Sequence, residues 1–367
     1  MPTVADVLRR YGEEYLERFG AKMPAEHKKV LRTLTACRTG ELGTVIYVCQ
    51  SCGTTHAMGR SCGNRHCPTC QQDKTKAWLE NQTDRLLPCP YFLLTFTVPA
   101  GLRDLVRSHQ RIAYAALFEA SSAAIKTLAR NPKHIGTTDC GFLGVLHTWG
   151  RTLDFHPHVH YVVPGGGISE DGTRWLPSRA DFFLPVKALS VLFRAKFRDA
   201  LDRAGLLKQV DPRVWRQDWV VHSKAVGDGR ASLKYLAPYV FRVAISDRRI
   251  VSCDDGQVTF SYRRSGSNRW RKMTVDAHEF IRRFLQHVLP RGLQKVRHYG
   301  FLSPNSQHSI EAVRWLAALH YGFVYILLAN LPQQVPNEPR IRCAECGGPM
   351  RVLMWQPPAL PGYFDTS

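Results

Sequence analysis

His156-Pro157-His158-Val159-His160-Tyr161-Val162-Val163, closed by Gly165-Gly166-Gly167, is the stretch on which the reading of this chain turns. Val159 to Val163 is β-branched and aromatic, the composition of a strand. Side chains two apart on a strand share a face, so His158 and His160 point the same way and form a two-point clamp for a cation. A lone strand histidine is ordinarily a satisfied core residue. Two at this spacing, beside a glycine run, point to chemistry. A third ligand is usual, and His147 is favoured because it lies on the preceding strand, Phe142 to Trp149, which pairs with the histidine strand as a hairpin. His156 competes, although Pro157 makes it more a strand-entry residue. Neutral imidazoles leave a bound Mg2+ or Mn2+ its full double charge, which suits polarisation of a phosphate oxygen.

Around this hairpin, Tyr91 to Val98 reads as a strand, Leu102 to Arg130 as a long helix and Val186 to Ala204 as another. Asp218 to Ala225 is a strand, and Gly227-Asp228-Gly229 a turn before a short helix at Ser232 to Phe241. Ile250 to Ser252 and Val258 to Tyr262 flank Asp254-Asp255-Gly256, a hairpin signal. Helices are expected at 4–34, at Thr75 to Leu87, at Ala277 to Leu289 and at Ile310 to Leu331. Helices and strands interleave, yet the hairpins demand antiparallel pairing, so the class is α+β rather than a parallel Rossmann sheet. No internal repeat is present.

Ser232-Leu233-Lys234-Tyr235-Leu236-Ala237-Pro238-Tyr239 puts two tyrosines four apart, on one face of a helix. Such a pair is ordinarily core or interface, and Pro238 removes a backbone donor from the turn. The histidine clamp gives the pair its functional weight. A phenol has a pKa near ~10 and needs a metal-activated electrophile or nearby cations to attack at neutral pH. Lys234 and Arg242 are candidates for that charge and for contact with DNA.

The chain has 11 cysteines, six of them between Cys37 and Cys70. Cys49-x-x-Cys52 and Cys67-x-x-Cys70 are expected to share one tetrahedral zinc, because two such knuckles present four thiolates. Cys37, His56, Cys62 and His66 supply enough donors to form a second zinc site or to exchange places with members of the first set. Cys343-x-x-Cys346 is a single knuckle lacking an obvious second half nearby, a third candidate site to be completed by distant histidines, or else a degenerate remnant or two free thiols. Arg65 and Lys74 put positive charge beside the cysteines, so the module is expected to touch DNA.

The 367 residues carry a net charge of +20, a balance suited to a polyanion because neutralised phosphates release counterions. Hydrophobic content of 44% and charged content of 22% fit a globular chain. No apolar run reaches membrane-spanning length; Ala317 to Leu331 carries His320 and ends at Pro332, the mark of a buried helix. The N-terminus has no basic region followed by an apolar core, so no signal peptide is read and a cytoplasmic protein is expected.

With these residues in order, the chain resembles the HUH-type transposases of rolling-circle insertion sequences, the insertion sequence ninety-one family. The resemblance rests on Cys37-Arg38-Thr39-Gly40, Cys49-x-x-Cys52, Ser61-Cys62 through Arg65-His66-Cys67-Pro68-x-Cys70, and His147-Thr148-Trp149-Gly150. It continues through His156-Pro157-His158-Val159-His160 with Gly165-Gly166-Gly167, then Tyr235-Leu236-Ala237-Pro238-Tyr239, Arg242-Val243-Ala244-Ile245-Ser246 and His298-Tyr299-Gly300-Phe301. It implies a roughly five-stranded antiparallel sheet flanked by helices, with the histidine pair on a central strand and an amino-terminal helical, zinc-ribbon module. It implies a metal role for His158 and His160, nucleophile roles for Tyr235 and Tyr239, a 5′-phosphotyrosine intermediate and single-stranded DNA of element ends as partner. A bacterial, nucleoid-associated location follows from the same likeness. Four segments are expected: residues 1–88 binding zinc and DNA, 89–265 catalytic, 266–335 helical, and 336–367 a tail with the last knuckle. Replication initiators and relaxases share this chemistry. A histidine-triad nucleotide hydrolase and an inactive zinc-ribbon DNA-binding protein are readings from other classes.

Overall fold

The computed structural model describes residues 2–241, 244–264, 266–267, 269–322 and 341–358; at residues 72–74, 76–77, 236, 238–239 and 241 it describes the backbone alone. Along the chain run α1 (Val4–Phe19), α2 (Ala25–Thr35), β1 (Thr44–Cys49), β2 (Thr55–Gly59), α3 (Pro68–Asp84), β3 (Tyr91–Thr97), α4 (Arg103–Ser108), α5 (Gln110–Arg130), β4 (Phe142–Trp149) and β5 (Phe155–Pro164). There follow β6 (Gly166–Ile168), β7 (Trp175–Pro177), α6 (Val186–Arg203), β8 (Val221–Ala225), α7 (Arg230–Phe241), β9 (Ile250–Asp254), β10 (Gln257–Arg263) and β11 (Trp270–Asp276). Last come α8 (Ala277–Leu285), β12 (Val296–Tyr299), α9 (Ile310–Tyr321) and β13 (Met350–Gln356). The described residues form two compact units, one of 2–71, 245–288 and 341–358, the other of 72–244 and 289–322.

The second unit is built on a five-stranded sheet of order β12-β4-β5-β3-β8, with every neighbouring pair antiparallel. The two-residue alternation of the strands divides its side chains between two faces. Phe92, Leu94 and Phe96 of β3, Phe142 and Leu146 of β4, and Val159, Tyr161 and Val163 of β5 enter one buried cluster. Helices α5 and α6 cover that face with Leu117, Phe118, Leu189, Phe193 and Phe197. The Tyr161 hydroxyl, buried there, lies 2.7 Å from Ser121 Oγ, so it keeps a hydrogen bond. Gly144 is required beside it, because a Cβ would fall 2.5 Å from the Tyr161 ring. On the opposite face, Leu143, Val145 and Val162 pack with Leu233 and Val240 of α7 and Val313 and Ala317 of α9. Farther along that face the alternation presents His147, His158, His160, Thr95 and Thr97 in place of apolar side chains.

In the first unit Thr3 caps α1 through a box with Asp6, its hydroxyl accepting from the Asp6 amide. Tyr15 and Phe19 of α1 pack at a tilt against each other and edge-on against His278 of α8. Asp247 accepts from the Val4 amide at 2.9 Å and from Thr69 Oγ1 at 2.7 Å, joining the start of α1 to the start of α3. β9, β10 and β11 form one antiparallel sheet, and β13, β1 and β2 another.

Several expectations change. Residues 4–34 are two helices, since the chain turns at Gly20–Lys22 and Pro24 starts the next. The helix expected over Leu102 to Arg130 breaks at His109. The one expected from Thr75 begins earlier, at Pro68. The cysteine segment contains β1 and β2, and β11, β12 and β13 were not legible as strands. The described part of the last long helix ends at Tyr321, capped by Gly322 in the left-handed region, and 323–331 lie outside the described residues. Residues 245–288 and the strand of the tail fall in the same compact unit as the amino-terminal helices and ribbon. Phe193 is fully buried between Phe96 and Trp219, with ring centroids 5.2 and 5.0 Å away. Phe193→Ala is expected to lower the unfolding free energy by about 3–5 kcal/mol, read as a fall in the urea midpoint at unchanged slope.

Candidate metal centres and tyrosine

β5 runs between β3 and β4, and this register assembles the histidines. His158 lies opposite His147 of β4 and Thr97 of β3; His160 lies opposite Val145 and Thr95. His147, His158 and His160 each bring a ring nitrogen into a group whose members all lie within 4.8 Å of one another. His158 Nδ1 is 2.6 Å from the backbone oxygen of His156. A carbonyl only accepts, so Nδ1 carries the proton and Nε2 keeps the lone pair a cation needs. His160 Nδ1 lies 2.8 Å from Thr95 Oγ1, which turns the other nitrogen of that ring to the same purpose. Burial first, and the neighbouring imidazoles next, hold His147 and His160 well below the ordinary histidine value. Burial also pushes His158 down to about 4. The three are therefore neutral at pH 7, in the protonation state that ligates metal. His156 is outside the group: Arg103 Nη2 donates to its Nδ1 at 2.6 Å.

Tyr235 stands beside this cluster. Its ring centroid is 6.1 Å from that of His160, with the planes perpendicular, and the residue is 46% exposed. It belongs to α7, whose backbone is helical through Pro238 and Tyr239. Lys234 is exposed on the same helix. The side chain of Tyr239 and all of Arg242 lie outside what is described.

The cysteines sort differently from the expected pairing. Cys37, Cys62, Cys67 and Cys70 form one tetrad; Cys49, Cys52, Cys343 and Cys346 form another. The knuckles at Cys49 and Cys67 thus go to separate sites. The physical reason is strand pairing: β13 lies antiparallel on β1 and carries the distant Cys343 knuckle to Cys49 and Cys52. In the first tetrad the sulfurs of Cys37 and Cys70 are 3.5 Å apart, of Cys62 and Cys70 3.6 Å, and of Cys37 and Cys67 3.8 Å. Tetrahedral zinc with Zn–S near ~2.3 Å spaces its sulfurs about 3.8 Å apart, so the set has the dimensions of a zinc site. Neither expected histidine joins a tetrad. His66 is buried with Nδ1 3.1 Å from Asn64 Oδ1, and His56 Nε2 lies 3.4 Å from Cys343 Sγ.

Of the residues expected to meet DNA beside the cysteines, Arg65 is exposed, and the Lys74 side chain is outside the described set. Sequence reasoning missed Thr95, Arg103 and Trp149, the last stacked on His147 with centroids 5.2 Å apart and Lys295 Nζ 4.9 Å above its ring. The Leu94-Thr95-Phe96-Thr97 alternation was the available signal, since it places hydroxyls on the histidine face.

Residues 7–98 match a family described as a transposase zinc-binding domain, and residues 141–309 match one described as a putative transposase. The chain is 40% identical to a putative transposase, y4qJ, of Sinorhizobium fredii, over 82% of this chain and 80% of that one. It is 28% identical to the transposase for insertion sequence element IS801 of Pseudomonas savastanoi, over 74% of this chain and 68% of the relative. No solved structure matches significantly. The histidine sheet, the tyrosine helix and the first cysteine tetrad all fall inside these matches, and the chain belongs to the insertion sequence ninety-one family of transposases.

Proposed function

We propose that the protein nicks and rejoins single-stranded DNA at element ends, with Tyr235 as a nucleophile beside a divalent cation held by His147, His158 and His160. The observation that carries this reading is the His160–Tyr235 edge contact at the rim of the imidazole group. The cation, Mg2+ or Mn2+, supplies charge that polarises the scissile phosphate. Tyr235 Oη gives up its proton and forms a bond to phosphorus, the bond from phosphorus to the 3′ oxygen breaks, and that oxygen takes up a proton in exchange to leave as a 3′-hydroxyl. The product is a 5′-phosphotyrosine that conserves the energy of the bond, so the reverse attack by a 3′-hydroxyl joins a new strand without ATP. Tyr239, one turn further on α7, would serve a second cleavage. Arg103 and Thr95 act through other residues, Thr95 orienting His160 and Arg103 fixing His156, whose carbonyl orients His158.

Zinc in the Cys37, Cys62, Cys67 and Cys70 tetrad gives the amino-terminal module its fold, and Arg65, Lys74, Lys234 and Arg242 offer charge to the DNA backbone. Work on chromosomal DNA puts the protein at the nucleoid, in the cytoplasm. Among the described residues no helix is long and apolar enough to cross a membrane. Replication initiators and relaxases share the chemistry; the zinc-binding match and the named transposase relatives favour transposition. The histidine-triad reading has no need of either.

The test uses full-length protein with 5′- and 3′-labelled single strands from the element ends and Mn2+ or Mg2+. A denaturation-resistant adduct on the 5′ end is expected in wild type. Tyr235→Phe should lose the first adduct, and the double variant with Tyr239→Phe should lose all of it. His158→Ala and His160→Ala should cut nicking by about a hundredfold or more while DNA binding is retained. Wild-type nicking by His160→Ala would sink the metal assignment, and tight binding without any adduct would favour the inactive DNA-binding protein.

A second prediction follows from the buried imidazoles. His158 titrates near about 4 when folded against an ordinary 6.5, so the unfolded chain binds more protons between these values. Stability of the metal-free protein is unaffected above the higher value, falls as pH drops through the interval, and levels off below it. At pH 5 the cost from His158 is roughly 2 kcal/mol. Denaturation of wild type and His158→Gln at pH 7 and pH 5 should show the wild type losing that much more than the variant. Equal losses would mean His158 is solvated.

A further inference from the structure

We infer that the chain carries a second structural zinc, a split ribbon site held by Cys49, Cys52, Cys343 and Cys346. The zinc-binding match ends at residue 98 and so takes in only half of this set. The inference stands apart from the nicking chemistry.

Two independent features point to metal. The first is the disposition of the sulfurs. All four lie within 4.8 Å of one another, with Cys49 and Cys346 3.4 Å apart and Cys52 and Cys343 3.8 Å apart. These separations match the edges of a zinc tetrahedron, about 3.8 Å, and are far from a disulfide bond of ~2.05 Å. Cys49 and Cys343 are buried, whereas Cys52 and Cys346 are exposed.

The second feature is that the two arms are built alike. Cys49-Gln50-Ser51-Cys52-Gly53 and Cys343-Ala344-Glu345-Cys346-Gly347 have one spacing. In each, the glycine is left-handed, with φ of 75° and 71°. Gly53 N donates to Cys49 O at 3.1 Å, and Gly347 N donates to Cys343 O at 2.9 Å. Cys49 N donates to Thr54 O and Cys343 N to Gly348 O, both at 2.9 Å. Backbone amides also meet sulfur: Ser51 N to Cys49 Sγ and Gly348 N to Cys346 Sγ, each at 3.4 Å. Such donors favour the thiolate over the thiol. Gly348 permits the approach of the arms, because a Cβ there would sit 2.4 Å from Ser51 Oγ and 3.1 Å from Cys49 Sγ. Two matched knuckles, facing each other across the β1–β13 pair, are the two halves of one tetrahedral site. Four thiols release their protons on binding, and His56, 3.4 Å from Cys343 Sγ, can donate to the resulting thiolate.

The test is metal content and thiol reactivity of the full-length protein. Wild type and Cys343→Ser/Cys346→Ser are purified alike and their zinc is measured by elemental analysis. The variant should carry one equivalent less, and cobalt-exchanged wild type should show more sulfur-to-cobalt charge transfer than the variant. Because a destabilised variant could lose both zincs, the cysteines of wild type are also mapped by alkylation and mass spectrometry. Exposed Cys52 and Cys346 should resist the reagent in zinc-replete protein and react once a chelator is added. Equal zinc in wild type and a folded variant, or full alkylation of Cys52 and Cys346 before chelation, would overturn the site.

Discussion

The hydrogen-bonded ladder that seats β5 between β3 and β4 is the constraint on which the candidate active centre depends. A strand repeats every two residues, so a slip of one position would carry His158 and His160 into the apolar cluster under α5 and α6 and bring Val159 and Tyr161 out. The slip is opposed on the core face of the sheet. Tyr161 fills the space left by Gly144, and its hydroxyl is committed to Ser121. The same pairing that buries the core therefore sets the spacing of three imidazoles that a fourth element, α7, meets through Tyr235. The grouping of the imidazoles is a by-product of packing on the opposite face.

The centre is held neutral by the same means. Removing His147, His158 and His160 from water disfavours the imidazolium of each, and each charged neighbour would disfavour the next. Burial outweighs both the hydrogen bond to the His156 carbonyl and the charge of Asp154, each of which favours the protonated form of His158. The carbonyl of His156 accepts from Nδ1 of His158 and so decides which nitrogen of that ring keeps its lone pair.

Local signals were legible in the sequence and long-range ones were not. Phe142 to Trp149 and Val159 to Val163 were readable as strands, and the spacing of His158 and His160 named their shared face, because a two-residue period is a property of neighbouring positions; the observed second strand begins earlier, at Phe155. The i, i+4 tyrosines named a helix for the same reason. Partnership among the cysteines is different. Each CxxC fixes two ligands, but which knuckles meet is decided by strand pairing across nearly the whole chain, and spacing holds no record of it. Cys67 sits nearer Cys52 along the sequence than Cys343 does, yet β13 reverses the choice. Thr95 was similarly hidden: its strand was plain, while its value as a partner of His160 appears only when β3 and β5 are in register.

The pairing of β1 with β13 also orders events in time. β13 follows β1 by some 300 residues of chain, so at ribosomal rates β1 waits on the order of tens of seconds for its neighbour. Through that interval one side of β1 offers unsatisfied amides and carbonyls to any strand nearby, while its other side is already closed by β2. The amino-terminal ribbon is thus among the first segments made and among the last completed, and a prematurely terminated product would leave the ribosome with a sticky edge where the finished protein has β1 paired on both sides.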